Sequence, residues 1–384
     1  MPLRPSVPEI TPHELAGRLE RGEMLHVLDI RSPARAAAGR IDLGPDELYS
    51  NIFVSRLATM RSVDAVGIDP GQPLAVVCDH GNSSKPAALH LKAIGYDARS
   101  VVGGMAAWML MSLPRELPAP DALDLLCQFD RIGKGSLGYL LASEGQGLII
   151  DPPRDAEPLL AKAQQHGIRI IGVADTHVHA DYISGGPALA AFLGVPYYLH
   201  PADMVYPYDG TPGTLPFEPI VEKSTIQVGR CIVLVEHNPG HTEGSVTFRV
   251  GDEAAFTGDF VFVESIGRPD LAGKTDEWAA DLWTSLSRAK KEWPARILVY
   301  PAHYASPTER REDRTIGGRF GDLLERNEAL GIAEQASFTK WVKSRTTSFP
   351  DAYRQIKAIN VGLKQVDELT AEELETGKNE CAVA

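Results

Sequence analysis

Ala174-Asp175-Thr176-His177-Val178-His179-Ala180-Asp181-Tyr182 sets two imidazoles and a carboxylate at alternating positions directly behind an apolar run, residues 168–173. That run has the length and β-branched content of a buried strand, so the first imidazole emerges where the backbone leaves a sheet. Loops at strand ends are where ligands from separate parts of a chain converge. A His-x-His pair alone is weak evidence, because short surface loops contain it by chance. Its weight comes from what lies downstream.

Residues 231–235 read as a strand feeding Asn238-Pro239-Gly240-His241-Thr242. Residues 254–256 feed Thr257-Gly258-Asp259, and 297–300 feed Pro301-Ala302-His303-Tyr304. Four strands thus each deliver His or Asp at the same relative place, which a metal site requires and coincidence explains poorly. His, His and Asp together are a normal borderline-hard ligand set. Upstream, 137–141 and 148–150 read as neighbouring strands joined through Gly145-Gln146-Gly147, with Asp151-Pro152-Pro153 stopping the second. Downstream, 275–291 reads as an amphipathic helix with Trp278 and Leu282 on its buried side, in a core role.

Ahead of this region, Leu113-Pro114-Arg115-Glu116-Leu117-Pro118-Ala119-Pro120 breaks the periodicity and reads as a semi-rigid linker. Before it, Thr11-Pro12-His13-Glu14 has capping-box spacing with proline at the first helical position, which predicts a helix over 12–21. Strands are expected at 25–30 and 74–77, the pattern of an α/β domain. The second runs into Cys78-Asp79-His80-Gly81-Asn82-Ser83-Ser84, with a helix expected over 85–94. A thiol between a strand end and a helix start faces unpaired N–H groups and the positive end of a helix dipole, which favour thiolate or persulfide.

A length of 384 residues exceeds the roughly 100–200 of a single domain, so two domains with an appended tail are expected. A net charge of -13 argues against attraction to nucleic acid or to anionic membrane surfaces. No stretch approaches the about 18 uninterrupted apolar residues of a membrane span, and Met1-Pro2-Leu3-Arg4-Pro5 lacks the apolar core of a signal peptide, so a cytoplasmic location is expected. Cys78, Cys127, Cys231 and Cys381 form no Cys-x-x-Cys pair, which speaks against a disulfide framework or a zinc finger. Cys127 and Cys231 read as core, and Cys381 lies in a segment, 372–384, that reads as frayed. Trp341, Phe349, Tyr353, Ile356 and Ile359 are expected to pack a carboxy-terminal appendage onto the second domain or another subunit.

With Asp29-Ile30-Arg31, the Gly39-Arg40-Ile41 turn and Gly103-Gly104 ahead of Trp108, residues 8–112 resemble a single rhodanese domain, with Cys78 either as its sulfur-carrying thiol or as an inert buried cysteine in a domain kept for docking. Rhodanese loops usually carry arginines where Asp79 and Ser83 stand, and a carboxylate beside a thiol raises its pKa and repels anionic sulfur donors. The order His177-x-His179-x-Asp181, His241, Asp259, His303 resembles the metallo-β-lactamase superfamily over about residues 126–305. That resemblance implies an α/β multidomain chain, a rhodanese-like α/β domain followed by an αββα sandwich with a metal at one edge of its sheets. The domains expected are 1–115 (rhodanese-like), 116–121 (linker), 122–335 (metallo-β-lactamase fold) and 336–384 (helical extension and tail).

Hydrolases of that superfamily generally hold two metals, the second bound partly by a histidine directly after the motif aspartate, where this chain has Tyr182. A phenol, with its pKa near 10, is a poorer ligand than imidazole. A single Fe(II) held by His177, His241 and Asp259 is therefore expected, with zinc as the alternative; this two-histidine, one-carboxylate face leaves positions open for oxygen chemistry. His179, Asp181 and His303 would orient ligands or waters around it. Gly267-Arg268-Pro269-Asp270-Leu271 is similar to the persulfide dioxygenase branch, in which the arginine helps hold a carboxylate-bearing thiol. That role falls to Arg268, with Tyr304 as its neighbour in the pocket.

The resemblance thus implies an iron-dependent persulfide dioxygenase, oxidising glutathione persulfide or a similar low-molecular-weight persulfide with O2 to sulfite and thiol. Cys78, His179, Asp181, His303 and Tyr304 would serve catalysis, with Cys78 on the sulfur-transfer side. Two other readings stay open: a zinc-dependent thioester hydrolase of the glyoxalase II type, and a non-catalytic sulfur-binding scaffold. The partners expected are small molecules, neither nucleic acid nor membrane, and association into a homo-oligomer is left open.

Overall fold

A computed structural model describes residues 7–346 and 348–383. The opening Met1 to Pro5, read above for a signal peptide, lies outside the described residues. The chain divides into two compact units, the first running to Met111 and taking in 131–134 and 376–378, the second comprising the rest. Among the described residues no helix is long and apolar enough to cross a membrane.

In the first unit five parallel strands lie in the order Glu9–Ile10, Ala98–Val101, Leu74–Val77, His26–Asp29, Tyr49–Asn51. The central pair is buried along its whole length, as parallel strands covered on both faces must be. The helix Pro12–Glu20 begins on Thr11, whose hydroxyl accepts the Glu14 N–H at 3.1 Å, with Pro12 where a missing N–H is harmless. The helix Ser84–Ala93 follows Leu74–Val77, and the loop between them carries Cys78.

The second unit packs a seven-stranded sheet against a six-stranded one. The first has the order Glu218–Pro219, Tyr197–Leu199, Arg169–Ala174, Gln146–Ile150, Ser136–Ser143, Leu125–Arg131, Leu113–Glu116. The second has the order Thr225–Val228, Cys231–His237, Val246–Val250, Ala254–Gly258, Leu298–Pro301, Gly318–Arg319. Leu137, Tyr139, Leu141 and Leu148 meet Val233, Val235, Phe248 and Phe256 between the sheets, with the Tyr139 and Phe256 rings edge-on at 5.0 Å. Fully burying each such aliphatic or aromatic side chain contributes roughly 1.5–3 kcal/mol. Outside, Glu157–Gln165 and Gly186–Leu193 cover the larger sheet through Leu159, Ala163, Leu189 and Ala190. Thr275–Glu292 covers the smaller through Leu282, Leu286 and Ala289, completing an αββα sandwich.

The structure corrects two expectations. The proline-rich stretch expected as linker begins as a strand: Leu113–Glu116 pairs antiparallel with Leu125–Arg131 at the outer edge of the larger sheet. An edge is where the missing N–H of Pro114 is tolerated. Of the segment 372–384, expected to fray, the described residues 372–383 are tied down instead. Glu368–Leu374 is helical, the Arg268 N–H donates to Cys381 O and the Val383 N–H to Ile266 O, both at 2.9 Å, and Cys381 is fully buried. Tyr353, Ile356 and Ile359 of the appendage pack into small clusters of the second unit.

Candidate metal centre

Asp259 and His303 leave the smaller sheet on the same edge because Ala254–Gly258 and Leu298–Pro301 are parallel neighbours, with Gly258 opposite Pro301. His177 follows Arg169–Ala174 and His241 follows Cys231–His237, and the structure brings them to Asp259. Asp259 Oδ2 lies 3.6 Å from His177 Nε2 and 3.3 Å from His241 Nε2. Around one ion with bonds of about 2.0–2.2 Å, neighbouring donor atoms stand roughly 3–3.6 Å apart, so the spacing fits a shared cation. The approach is tight: a Cβ on Gly267 would lie 1.8 Å from Asp259 O, so only glycine fits there.

The ring tautomers follow from the surrounding hydrogen bonds. His241 Nδ1 lies 3.0 Å from the carbonyl of Arg268, which can only accept, so Nδ1 carries the proton and Nε2 the lone pair. The Thr176 hydroxyl donates its proton to Asp151, at 2.9 Å from Oδ2, and so accepts from His177 Nδ1 at 2.9 Å, which again leaves the lone pair on Nε2. Burial holds His241 down to about 4 and His177 well below its usual range, so both rings are neutral donors. Burial would raise Asp259, but the neighbouring His303 and His241 hold it below the ordinary carboxylate range. His177 Nε2, His241 Nε2 and Asp259 Oδ2 are all buried without a hydrogen-bond partner. Three such atoms aimed at one point are what a divalent metal would satisfy.

Around this trio the remaining motif residues form two further groups. His303 donates from Nδ1 to Asp259 Oδ1 at 2.6 Å, and its Nε2 lies 3.2 Å from Asp181 Oδ2. Against the burial that lowers it, these two carboxylates raise His303 to about 10. Cys381 completes this group, its sulfur within 4.8 Å of the ligand atoms of Asp181 and His303. His179 points instead to Asp151, with Nε2 3.2 Å from Oδ1, and stacks on Tyr182 at 4.3 Å. Tyr182 is 1% exposed; its hydroxyl faces the Asp151 carbonyl at 3.5 Å, and burial followed by the Asp151 charge holds it well above 10, so the phenol stays protonated.

Arg268 and Tyr304 are brought close to other partners. The Arg268 guanidinium binds Asp270 through two contacts of 2.7 Å, and its backbone carbonyl supports His241. Tyr304 donates to Asp130 Oδ1 at 2.9 Å and lies under Arg310, whose guanidinium carbon is 4.8 Å from the ring centre. In the first unit the Ser84 N–H donates to Cys78 Sγ at 3.3 Å, at the start of the helix Ser84–Ala93, and Asp79 is paired with Arg35 at 3.0 Å. Cys127 and Cys231 are fully buried, each pushed up to about 11 by desolvation, in keeping with a core role.

Four residues were not visible as functional in the sequence. Asp151 sits with φ +51, a conformation few side chains other than Asn and Asp accept, and its carboxylate receives Thr176 N–H, the Thr176 hydroxyl and His179. It follows the strand Gln146–Ile150 as His177 and Asp259 follow theirs, so the signal was present. Asn360 donates to the carbonyls of His179 and Tyr182, both at 2.9 Å, and accepts from Ser184 N–H at 3.0 Å. Cys381 and Lys357 complete the set. Lys357 lines a cavity of about 440 Å³ beside the metal ligands, bounded also by Val178, Asp203, Tyr208, Thr242 and Trp278.

A buried two-histidine, one-carboxylate set at the edge of an αββα sandwich is a candidate site for a metal ion. The model of the metallo-beta-lactamase superfamily matches residues 132–303, and that of the rhodanese-like domain residues 11–111. The chain belongs to the metallo-β-lactamase superfamily, fused to an amino-terminal rhodanese-like domain, and is similar to persulfide dioxygenases. Persulfide dioxygenase ETHE1, mitochondrial, of Bos taurus is 30% identical over 215 residues, 53% of this chain and 77% of that one. A hydroxyacylglutathione hydrolase of Anaeromyxobacter dehalogenans is also 30% identical, over 46% of this chain and 65% of that one. A crystal structure of a metallo-beta-lactamase from Staphylococcus aureus superposes with a TM-score of 0.53 and 26% identity, over 67% of this chain and 74% of that one.

Proposed function

We propose that this protein is an iron-dependent persulfide dioxygenase with His177, His241 and Asp259 as the metal ligands. The observation that carries the reading is the convergence of three buried donor atoms without a hydrogen-bond partner among the described residues, with the phenol of Tyr182 where a second metal would need an imidazole. Equal identity to a dioxygenase and a hydrolase does not separate these activities, so the ligand set must. Three protein ligands leave coordination positions open, and iron when bound would let persulfide sulfur and O2 exchange electrons there. The reaction takes R–S–SH, O2 and water to R–SH and sulfurous acid, which ionises to sulfite. The S–S bond breaks, both dioxygen atoms end on the outer sulfur, and water supplies the third oxygen while its protons are shared between products.

The protein's own part is orientation. Asp151 and Thr176 fix the His177 ring, the Arg268 carbonyl fixes His241, and His303 holds the second oxygen of Asp259. His179 keeps Nε2 on Asp151 and leaves Nδ1 without a hydrogen bond, which suits it to take a proton from the water that adds to sulfur. Cys78 would move sulfane sulfur on the rhodanese-like domain, and tethering raises the effective concentration of a labile intermediate. Glutathione persulfide is the substrate we favour, in a cytoplasmic setting.

A second reading, a two-zinc thioester hydrolase, is favoured by one specific observation: Asp181, His303 and Cys381 form another buried group able to hold an ion. Anaerobic purification with metal analysis, followed by an oxygen-electrode trace on adding glutathione persulfide, decides between them. A single iron per chain with oxygen uptake and sulfite release is expected. Paired zinc ions and thioester cleavage without oxygen uptake would replace this reading with the second.

A further inference from the structure

Lys357 lies on the helix Ala352–Asn360, far along the chain from every motif residue, yet it is 1% exposed and lines the cavity beside the metal centre. Its ammonium makes no hydrogen bond or ion pair with any described residue; it stands 5.7 Å from the centre of the Trp278 ring and feels the Asp203 carboxylate only at longer range. A buried ammonium without a directly bonded counter-ion is rarely retained unless something else supplies the charge.

The other polar groups of the wall show what is missing. Asp203 accepts from Val178 N–H, Gly244 N–H and the Thr242 hydroxyl, at 2.7, 2.7 and 2.8 Å. Tyr208 donates to the Leu271 carbonyl, Lys274 pairs with Glu243, and Asp209 accepts from Thr211 N–H. The acceptors are thus committed. Two donors are not: the Lys357 ammonium and the indole Nε1–H of Trp278, which is buried without a hydrogen-bond partner. Val178, Val205, Pro207 and the Trp278 ring add apolar wall. Val178 lies between His177 and His179, and Thr242 follows His241, so the cavity wall includes the chain neighbours of two of the three metal ligands.

We propose that Lys357 and Trp278 bind the anionic end of a low-molecular-weight thiol, leaving its sulfur toward His177, His241 and Asp259. The proposal rests on the dioxygenase reading for its substrate class and moves recognition to the carboxy-terminal helix, since the Arg268 guanidinium is already engaged by Asp270. The shared chemistry is an oxyanion, either the carboxylate of a peptide thiol or the phosphate of a nucleotide thiol. A water-filled cavity that merely solvates the ammonium is the competing account.

Calorimetric titration of the metal-loaded full chain with S-methylglutathione, its diester and coenzyme A tests this without turnover. Binding of S-methylglutathione or of coenzyme A is expected, whichever source supplies the oxyanion, with weak binding of the diester. Lys357→Met should weaken the bound probe by at least about tenfold, as loss of a charge-assisted hydrogen bond does. Trp278→Phe, which keeps the apolar wall, should weaken it less. Equal affinity in the wild type and Lys357→Met, or binding of neither anionic probe by the wild type, overturns the proposal. A thermal melt of each variant separates lost binding from lost folding. Oxygen uptake by the wild type is scored separately, so failure of the dioxygenase reading leaves the binding result interpretable.

Discussion

In the loop 78–84 the sulfur of Cys78 receives the Ser84 N–H at 3.3 Å and shares a second hydrogen bond with the Ser84 hydroxyl. At the edge of the sandwich, His177 Nε2, His241 Nε2 and Asp259 Oδ2 are just as thoroughly buried but have no hydrogen-bond partner. The thiol site is satisfied by its own chain and needs no visitor to be stable. The imidazole site leaves three polar atoms desolvated, each costing about 1–3 kcal/mol unless a ligand offsets it. A satisfied site waits for a substrate; an unsatisfied one requires a resident.

The sharpest way to break this contrast is to remove one resident-holding group and one thiol in separate variants. His241→Ala should strip the metal and lower oxygen uptake by more than roughly 100-fold, while sulfur transfer by the rhodanese-like domain persists. Cys78→Ser should do the reverse, abolishing transfer from thiosulfate and sparing oxygen uptake. If either variant lost both activities equally, the two sites would not be independent.

A smaller effect tests how the metal site is held. In Thr176→Val the hydroxyl that accepts from His177 Nδ1 and donates to Asp151 is gone, with nearly the same shape retained. Metal affinity measured against a competing chelator should fall roughly 10–100-fold. Unchanged affinity would show that packing alone orients the ring.

How much of this could be read from the sequence depended on chain distance. The four strand exits were legible because each strand and its His or Asp are adjacent in the chain, so periodicity and motif lie in one window, whereas the αββα sandwich was implied only by the family resemblance that those residues carry. Asp151 was legible in principle by the same rule and was masked by its following prolines, which read as a stop. Asn360, Lys357 and Cys381 were not legible. Asn360 meets His179 across 181 positions of sequence, and an amphipathic helix looks the same in sequence whether a given polar residue faces a motif loop or solvent. The tail was misread because a polar run such as 376–380 suggests fraying, whereas its backbone pairs with Gly267 and Arg268.

The last effect comes from the cavity and extends the contrast to a charge. Burial lowers Lys357 to about 8 from an ordinary 10.5, only partly offset by Asp203. Unfolded chains take up this proton as pH falls through 10.5, whereas the folded protein does so only near 8. Stability therefore declines as pH falls across that window and stays lower beneath it, by about 3 kcal/mol for a shift of this size. Lys357→Met should accordingly be more stable than the wild type at pH 7, by up to about 3 kcal/mol in denaturant unfolding, with the difference narrowing toward pH 10.5. A saturating anionic ligand should close the gap at pH 7 by binding only the wild type's folded state tightly. A variant less stable than the wild type at pH 7 would mean that the ammonium already has a counter-ion when folded, and the cavity would then join the satisfied sites rather than the unsatisfied ones.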